Sequence, residues 1–327
     1  MQAVLCEKWG GPQNLILGDI DLAEPGPGQV LIRIAGAGVN FADTLMIEGK
    51  YQEKPDFPFA PGLEVAGRVE AVGEGVMRVK GGDRVLALLD HGGFAEAAIA
   101  NESDCFAIPD EMDWATAAGF PITYGTAHGG LGWLAKVRTG ERLLVHGAAG
   151  GVGLAAVEVG KALGAEVIAT AGGAEKLAVA RAHGADYLVD YRQEDIKSRV
   201  REITAGEGVD VVFDPVGGRV FDASLRVAAW GARLIVIGFA AGEVQQIPAN
   251  HLLVKNISAM GLYWGSYRKK APDMLLRQFD DLFSWYETGH LKPRVSHTLP
   301  FSSAAEALEL LKQRRSTGKV VLIREIS

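Results

Sequence analysis

The sequence has 327 residues, 48% of them apolar and 22% charged, with a formal net charge of −7 and two cysteines. That is long enough for two domains with substantial cores, and the acidic balance excludes a general nucleic-acid surface, which needs clustered Lys and Arg. Cys6 and Cys105 are too few for a disulfide framework or a four-cysteine zinc site, and no stretch approaches the roughly 20 apolar residues of a membrane span.

The opening Met1-Gln2-Ala3-Val4-Leu5 lacks a basic segment followed by a long apolar run, so a cytoplasmic protein with no membrane insertion is expected. After the turn-rich Pro25-Gly26-Pro27-Gly28 an apolar strand is predicted over 30–34. Further strands follow over 67–72 and, after Gly81-Gly82-Asp83, over 84–88. The first 122 or so residues therefore read as a mainly β unit.

From about 126 the rhythm changes to strand, helix, strand, helix. Strands are predicted over 142–146, 166–170, 186–189, 210–213 and 233–237, with a weaker sixth over 257–260. Helices are predicted between them over 152–163, 174–182 and 194–204. Short, nearly continuous apolar strands alternating with helices mean a parallel sheet covered on both faces. The fold class is α/β: a doubly wound, Rossmann-type cofactor domain over 125–264 and a mainly β domain over 1–124. The tail carries amphipathic helices over 273–288 and 304–313 and a strand over 319–323, with no α/β repeat, so 265–327 is expected to complete the first domain.

Between the first α/β strand and its helix lies Gly147-Ala148-Ala149-Gly150-Gly151-Val152-Gly153. Such a turn points free backbone N–H groups and the positive end of a helix at whatever sits above it, and its glycines let a pyrophosphate approach the backbone. The spacing departs from strict G-x-G-x-x-G, and helix packing alone can demand glycine, but the strand before it and the four βα steps after it favour a dinucleotide on Gly150, Gly151 and Val152. About 20 residues on, the second strand ends at Thr170-Ala171-Gly172-Gly173 with no Asp or Glu to hold the ribose hydroxyls. Lys176 follows within a turn, and Tyr191-Arg192 follow the third strand, which should lie beside the second. A missing carboxylate with hydroxyl and cationic donors near Gly172 suits a 2′-phosphate, so the expected cofactor is NADPH. The alternative is that Lys176 and Arg192 are solvated surface residues, with Glu175 blunting the field.

Several segments together resemble the NADPH:quinone oxidoreductases of the zinc-free branch of the medium-chain dehydrogenase/reductase superfamily, the relatives of ζ-crystallin. They are Gly38-Val39-Asn40-Phe41-Ala42-Asp43-Thr44, Pro61-Gly62-Leu63-Glu64-Val65-Ala66-Gly67, Gly92-Gly93-Phe94-Ala95-Glu96, Gly125-Thr126-Ala127, the Ala-Ala-Gly-Gly-Val-Gly loop, Asp190-Tyr191-Arg192, Gly238-Phe239 and Gly318-Lys319-Val320. The match runs the whole length and implies a GroES-like fold for the first domain. It also argues against zinc: where the zinc alcohol dehydrogenases of the superfamily have a ligating Cys and a Gly-His-Glu, this chain has Asn40 and Gly62-Leu63-Glu64.

Without a metal, the protein positions the hydride donor and stabilises charge growing on the acceptor's oxygen. The resemblance implies that Asn40, Asp43 and Tyr51 line the place where the nicotinamide meets the substrate. Tyr51 is the best single donor on chemistry, or it packs over the cofactor. Asn40 shapes the site or hydrogen-bonds the cofactor. The same resemblance places Thr126, Gly238 and Phe239 at the nicotinamide end, with Trp264 and Lys319 as further cofactor candidates; Phe239 and Trp264 read equally well as core aromatics. His146 is expected to order the phosphate loop.

The expected reaction is reduction of a quinone. Reduction of the C=C bond of an enone or enoyl thioester is the alternative, and non-catalytic NADPH binding, as in crystallin-like relatives, is a third. The apolar run 257–264 is the expected edge of a homodimer.

Overall fold

In the computed structural model, which describes residues 1–324, the chain divides into two compact units. One comprises Met1–Ile122, Arg268–Phe279 and the chain from Pro293 on; the other comprises Thr123–Tyr267 and Asp280–Lys292.

The first unit begins with β1 (Gln2–Leu5) and β2 (Ile16–Asp19), an antiparallel ribbon. It continues with β3 (Gln29–Val39), α1 (Phe41–Ile47), β4 (Glu64–Val72), β5 (Arg84–Leu88), β6 (Ala97–Asn101), β7 (Cys105–Ala107) and α2 (Trp114–Gly119). In β3 the alternation expected of a half-buried strand holds as far as Arg33, after which Ile34 to Val39 are buried on both faces. That double burial is why its second half is built of Ala, Gly and Val.

The second unit begins with α3 (Pro121–His128, whose first residues belong to the first unit) and a π-helical segment, Gly129–Leu134. It then alternates β8 (Arg142–Val145), α4 (Gly151–Ala162), β9 (Glu166–Ala171), α5 (Ala174–Ala182), β10 (Tyr187–Asp190), α6 (Ile196–Ile203), β11 (Val209–Asp214), α7 (Arg219–Val227), β12 (Ala228–Val236), α8 (Ala249–Lys255) and β13 (Ser258–Gly261). The six strands form one parallel sheet in the order β10-β9-β8-β11-β12-β13. This is the doubly wound dinucleotide order, and its direction reverses between β8 and β11, where such folds bind ligands. The fifth strand starts earlier than the apolar run suggests because Gly231, at φ 77°, bends it and shifts its register against β11.

The tail adds α9 (Tyr267–Lys270), α10 (Pro272–Glu287), β14 (Val295–Pro300), α11 (Ala304–Lys312) and β15 (Lys319–Ile323). β15 joins the first unit's sheet antiparallel to β3, and β14 extends that sheet beyond β15. Residues 280–292 of the tail group with the second unit instead, where the Lys292 N–H donates to Glu158 Oε2 at 2.9 Å and Trp285 packs on His128. Among the described residues no helix is long and apolar enough to cross a membrane.

Candidate functional site

In the second unit, β8 delivers the chain into the glycine loop. Gly147 turns at φ 59°, and the Gly150 N–H donates back to its carbonyl at 2.9 Å. α4 then starts at Gly151 with no side chain capping it and no acidic residue in its first turn. A β-carbon on Gly153 would lie 2.3 Å from the Gly147 carbonyl oxygen, and one on Gly160 would lie 2.5 Å from Leu143 Cδ2. Glycine at both positions therefore lets the helix sit against the strand, leaving its first N–H groups and the positive end of its dipole directed beyond the sheet's carboxyl edge.

Beneath the loop His146 is fully buried, with Nδ1 2.9 Å from Thr170 Oγ1 and Nε2 2.7 Å from Ser224 Oγ. Burial pushes its pKa down, against the pull of Asp214, so the imidazole is neutral and ties β8 to the end of β9 and to α7.

β9 ends at Ala171, and Gly172 sits directly under the two residues expected there. A β-carbon at Gly172 would be 2.7 Å from the Tyr191 hydroxyl and 2.8 Å from Arg192 Nε. The nearby acid, Asp190, pairs with Ala171 across the sheet, and its Oδ1 accepts the Gly173 and Arg192 N–H groups, each at 3.0 Å. That carboxylate oxygen is spent on holding the turn that presents Tyr191 and Arg192. Lys176 stands in the first turn of α5 beside Glu175.

Trp264 is 4% exposed, and β-carbons on Gly125 and Gly129 would lie 2.2 and 3.0 Å from its ring, so this indole is a packing surface for α3 and the segment after it. Thr126 lies in the same helix and is nearly buried. Phe239, by contrast, is 42% exposed, and its ring borders Gly217. Gly238 lies against the Pro215 carbonyl, at the exit of β12.

In the first unit a second polar cluster forms where three strand ends coincide. β3 ends at Val39, whereas its antiparallel neighbours β4 and β15 begin there, at Glu64 and Lys319. Lys319 Nζ donates to the Val39 carbonyl at 2.9 Å, to Asn40 Oδ1 at 2.8 Å and to Glu64 Oε1 at 2.7 Å. Asn40 Nδ2 donates to the same Glu64 oxygen at 2.9 Å, while Glu64 Oε2 accepts the Ile122 N–H at 2.8 Å. Asn40 also begins α1, its backbone N–H held by the Asp43 side chain while the Asp43 N–H donates to the Asn40 carbonyl at 3.1 Å. One Asp43 oxygen accepts the Asn40 N–H at 2.7 Å and the other the Gly62 N–H at 3.2 Å.

The structure thus brings together Asn40, Asp43 and Lys319 and adds Glu64, which the sequence shows only as one letter of a motif. All four are buried. Lys319, a cofactor candidate in the sequence, has its three ammonium protons on internal acceptors. Tyr51 lies outside this ring, half-buried against the apolar core of the unit. The thiols of Cys6 and Cys105 are buried and unpaired, and burial pushes both up, Cys105 to about 12, so neither is an activated nucleophile. Among the described residues no three His, Cys, Asp or Glu side chains converge as a metal-ligand set.

Residues 26–110 match the family model described as alcohol dehydrogenase GroES-like domain, and 151–280 match zinc-binding dehydrogenase. The quinone oxidoreductase-like protein 2 homolog of Nematostella vectensis is 42% identical over 325 residues, covering 98% of this chain and 88% of that one. The quinone oxidoreductase of Pseudomonas aeruginosa is 37% identical, covering 96% and 97%. The chain belongs to the quinone oxidoreductase family of the medium-chain dehydrogenase/reductase superfamily. The solved structure of Escherichia coli quinone oxidoreductase complexed with NADPH superposes with a TM-score of 0.93 at 30% identity, covering 99% of this chain and all of that one. The second family model is named for zinc, yet the positions that the superfamily's zinc enzymes use for ligation carry here a carboxamide locked to an ammonium, Asn40, and an apolar side chain, Leu63.

Proposed function

We propose that this protein is an NADPH-dependent quinone reductase that passes hydride to a quinone without zinc. The observation that carries the reading is the cradle of the second unit: an uncapped helix start over Gly147 and Gly153, with Tyr191 and Arg192 lying over Gly172. These residues fit a dinucleotide phosphate group at two points. The first-turn N–H groups of α4 would bind the pyrophosphate, and Arg192, Tyr191 and Lys176 would hold the 2′-phosphate. The bound dinucleotide supplies the hydride. Thr126, Gly238 and Phe239 are assigned to its nicotinamide end. In the first unit, the Tyr51 hydroxyl is the donor to the acceptor's developing oxyanion, on a site whose backbone is held by Asn40 and Asp43. The final proton of a quinol needs no dedicated side chain, because water supplies it.

The test is oxidation of NADPH and NADH with a quinone and an enone side by side, in the wild type and in Arg192→Glu. Reversing that charge removes a charge-assisted hydrogen bond and adds repulsion, so the NADPH-to-NADH ratio of kcat/KM falls by about 10- to 100-fold. An unchanged ratio overturns the 2′-phosphate assignment. Preference for the enone moves the substrate class to C=C reduction, and tight NADPH binding without turnover leaves a binding protein.

Among the described residues the second unit's edge strand β13 pairs only with β12, and Leu253 and Val254 on α8 are 78% and 75% exposed. Both features suit a homodimer through this edge. Light scattering is expected to give twice the chain mass of 34.7 kDa, and a monomeric mass refutes the pairing. The net charge of −7 disfavours nucleic acid as a main partner, and two free buried thiols suit a reducing compartment such as the cytoplasm.

A further inference from the structure

Lys319 has three ammonium protons, and three oxygens receive them at 2.7–2.9 Å. Its side chain is 8% exposed and that of its carboxylate partner Glu64 is fully buried. The group is therefore a saturated cation in an oxygen cage made of a backbone carbonyl, a carboxamide and a carboxylate, tethered to β15 by its own methylenes. Its donors are all spent inside the fold, so it has none left for a cofactor phosphate.

The cage also decides the state of Asn40. An ammonium only donates and a carboxylate only accepts, so the carboxamide oxygen must face Lys319 and its NH2 must face Glu64. That orientation follows from the chemistry of the two neighbours. The Asn40 backbone N–H is held in turn by Asp43, which also takes the Gly62 N–H. Through Asn40 the ammonium thus sets the start of α1, where the exposed ring of Phe41 follows. The surrounding glycines are shaped to the cage: a β-carbon on Gly38 would lie 2.2 Å from Glu64 Oε1, and one on Gly119 would lie 3.1 Å from Lys319 Cβ and Cγ.

We propose that Lys319 is a positioning residue, a built-in cation that orients Asn40 and neutralises Glu64, and that removing its side chain opens a site for a small primary ammonium ion. The atoms lost in Lys319→Ala, Cγ to Nζ, are those of n-propylammonium. The inference rests on the reductase reading only for its kinetic arm.

The experiment compares Lys319→Ala with the wild type, with and without n-propylammonium and with n-propanol as the uncharged control. In Lys319→Ala, n-propylammonium raises Tm, while n-propanol does not, and the wild type responds to neither. With a quinone, kcat falls by about tenfold or more and n-propylammonium restores most of it, while the Kd for NADPH stays within about threefold. Should Lys319→Ala not fold, Lys319→Met/Glu64→Gln decides, because it removes both buried charges together; it folds, where Lys319→Met alone leaves an isolated buried carboxylate and is far less stable. A Kd for NADPH weakened more than about tenfold with kcat retained makes Lys319 a cofactor ligand and overturns the proposal. So does the absence of any propylammonium effect on Tm, or a double variant no more stable than Lys319→Met. If the wild type itself fails to turn over, the reductase reading falls and the Tm arms still decide the cage.

Discussion

Gly153→Val is expected to abolish NADPH binding, raising Kd by at least about 100-fold, since two charge-assisted backbone hydrogen bonds at about 1.5–3 kcal/mol each are at stake. The new β-carbon would meet the Gly147 carbonyl oxygen at 2.3 Å, its carbonyl carbon at 2.8 Å and Ala148 Cα at 3.0 Å. All three are backbone atoms, so no rotamer change relieves the clash, and either the loop or α4 must shift. Any such shift turns the first N–H groups of α4 away from the position that the glycine turn gives them. Gly150→Ala is the contrast. Its β-carbon would come no closer than 3.4 Å to the Gly147 oxygen, with the backbone at φ −82°, so the protein alone has room for it. That variant keeps its Tm, and whatever affinity it loses measures how closely the pyrophosphate approaches. A fluorescence titration giving Gly153→Val a Kd within threefold of wild type would remove the loop from the binding site.

The legible parts of the fold are those where a local period carries the signal. β5 and α5 lie where the apolar run after Gly81-Gly82-Asp83 and the helical spacing place them, at Arg84–Leu88 and Ala174–Ala182, the helix bounded by Gly173 and Gly184. Helix α1 is not legible in this way: it is seven residues long, and its start rests on the Asp43 carboxylate holding the Asn40 N–H rather than on an apolar stripe. β14 is hidden too, since none of its residues is fully buried and its parallel pairing with β15 is what makes it a strand.

The site divides along the same line. Tyr191 and Arg192 could be placed near Gly172 from sequence because neighbouring strands of a parallel sheet end side by side. The ring of Asn40, Glu64 and Lys319 joins residues 279 and 255 positions apart. Only the register of β15 on β3, with Val320 opposite Val39, brings them together, and no local pattern records that register. The packing of Trp264 against Gly125 and Gly129 is likewise long-range and is not written in any local pattern.

Asp43 is expected to make the wild type lose stability with rising pH in a way that Asp43→Asn does not. Its carboxyl is fully buried, and burial pushes it up to about 7. The Asn40 N–H, the Lys319 ammonium and the Gly62 N–H pull it down, and the neighbouring Glu64 adds to the rise. The ordinary carboxyl value is 3.8, so the folded group holds its proton to higher pH than the unfolded one. Below about pH 4 both states are protonated and the contribution is fully present. As pH climbs toward 7 the unfolded chain ionises first, and folded stability drains at up to about 1.4 kcal/mol per pH unit, levelling once the folded group also ionises. Between pH 5 and 8 the integrated loss is about 3 kcal/mol, and an asparagine escapes it. That variant starts from a deficit, because an amide cannot accept from both N–H groups and leaves one buried donor unpaired at about 1–3 kcal/mol. Urea unfolding of the two proteins across this range should therefore show Asp43→Asn the weaker at pH 5, with the gap closing or reversing by pH 8. Parallel curves would mean that Asp43 stays ionised throughout, its two N–H donors and the Lys319 ammonium outweighing its burial.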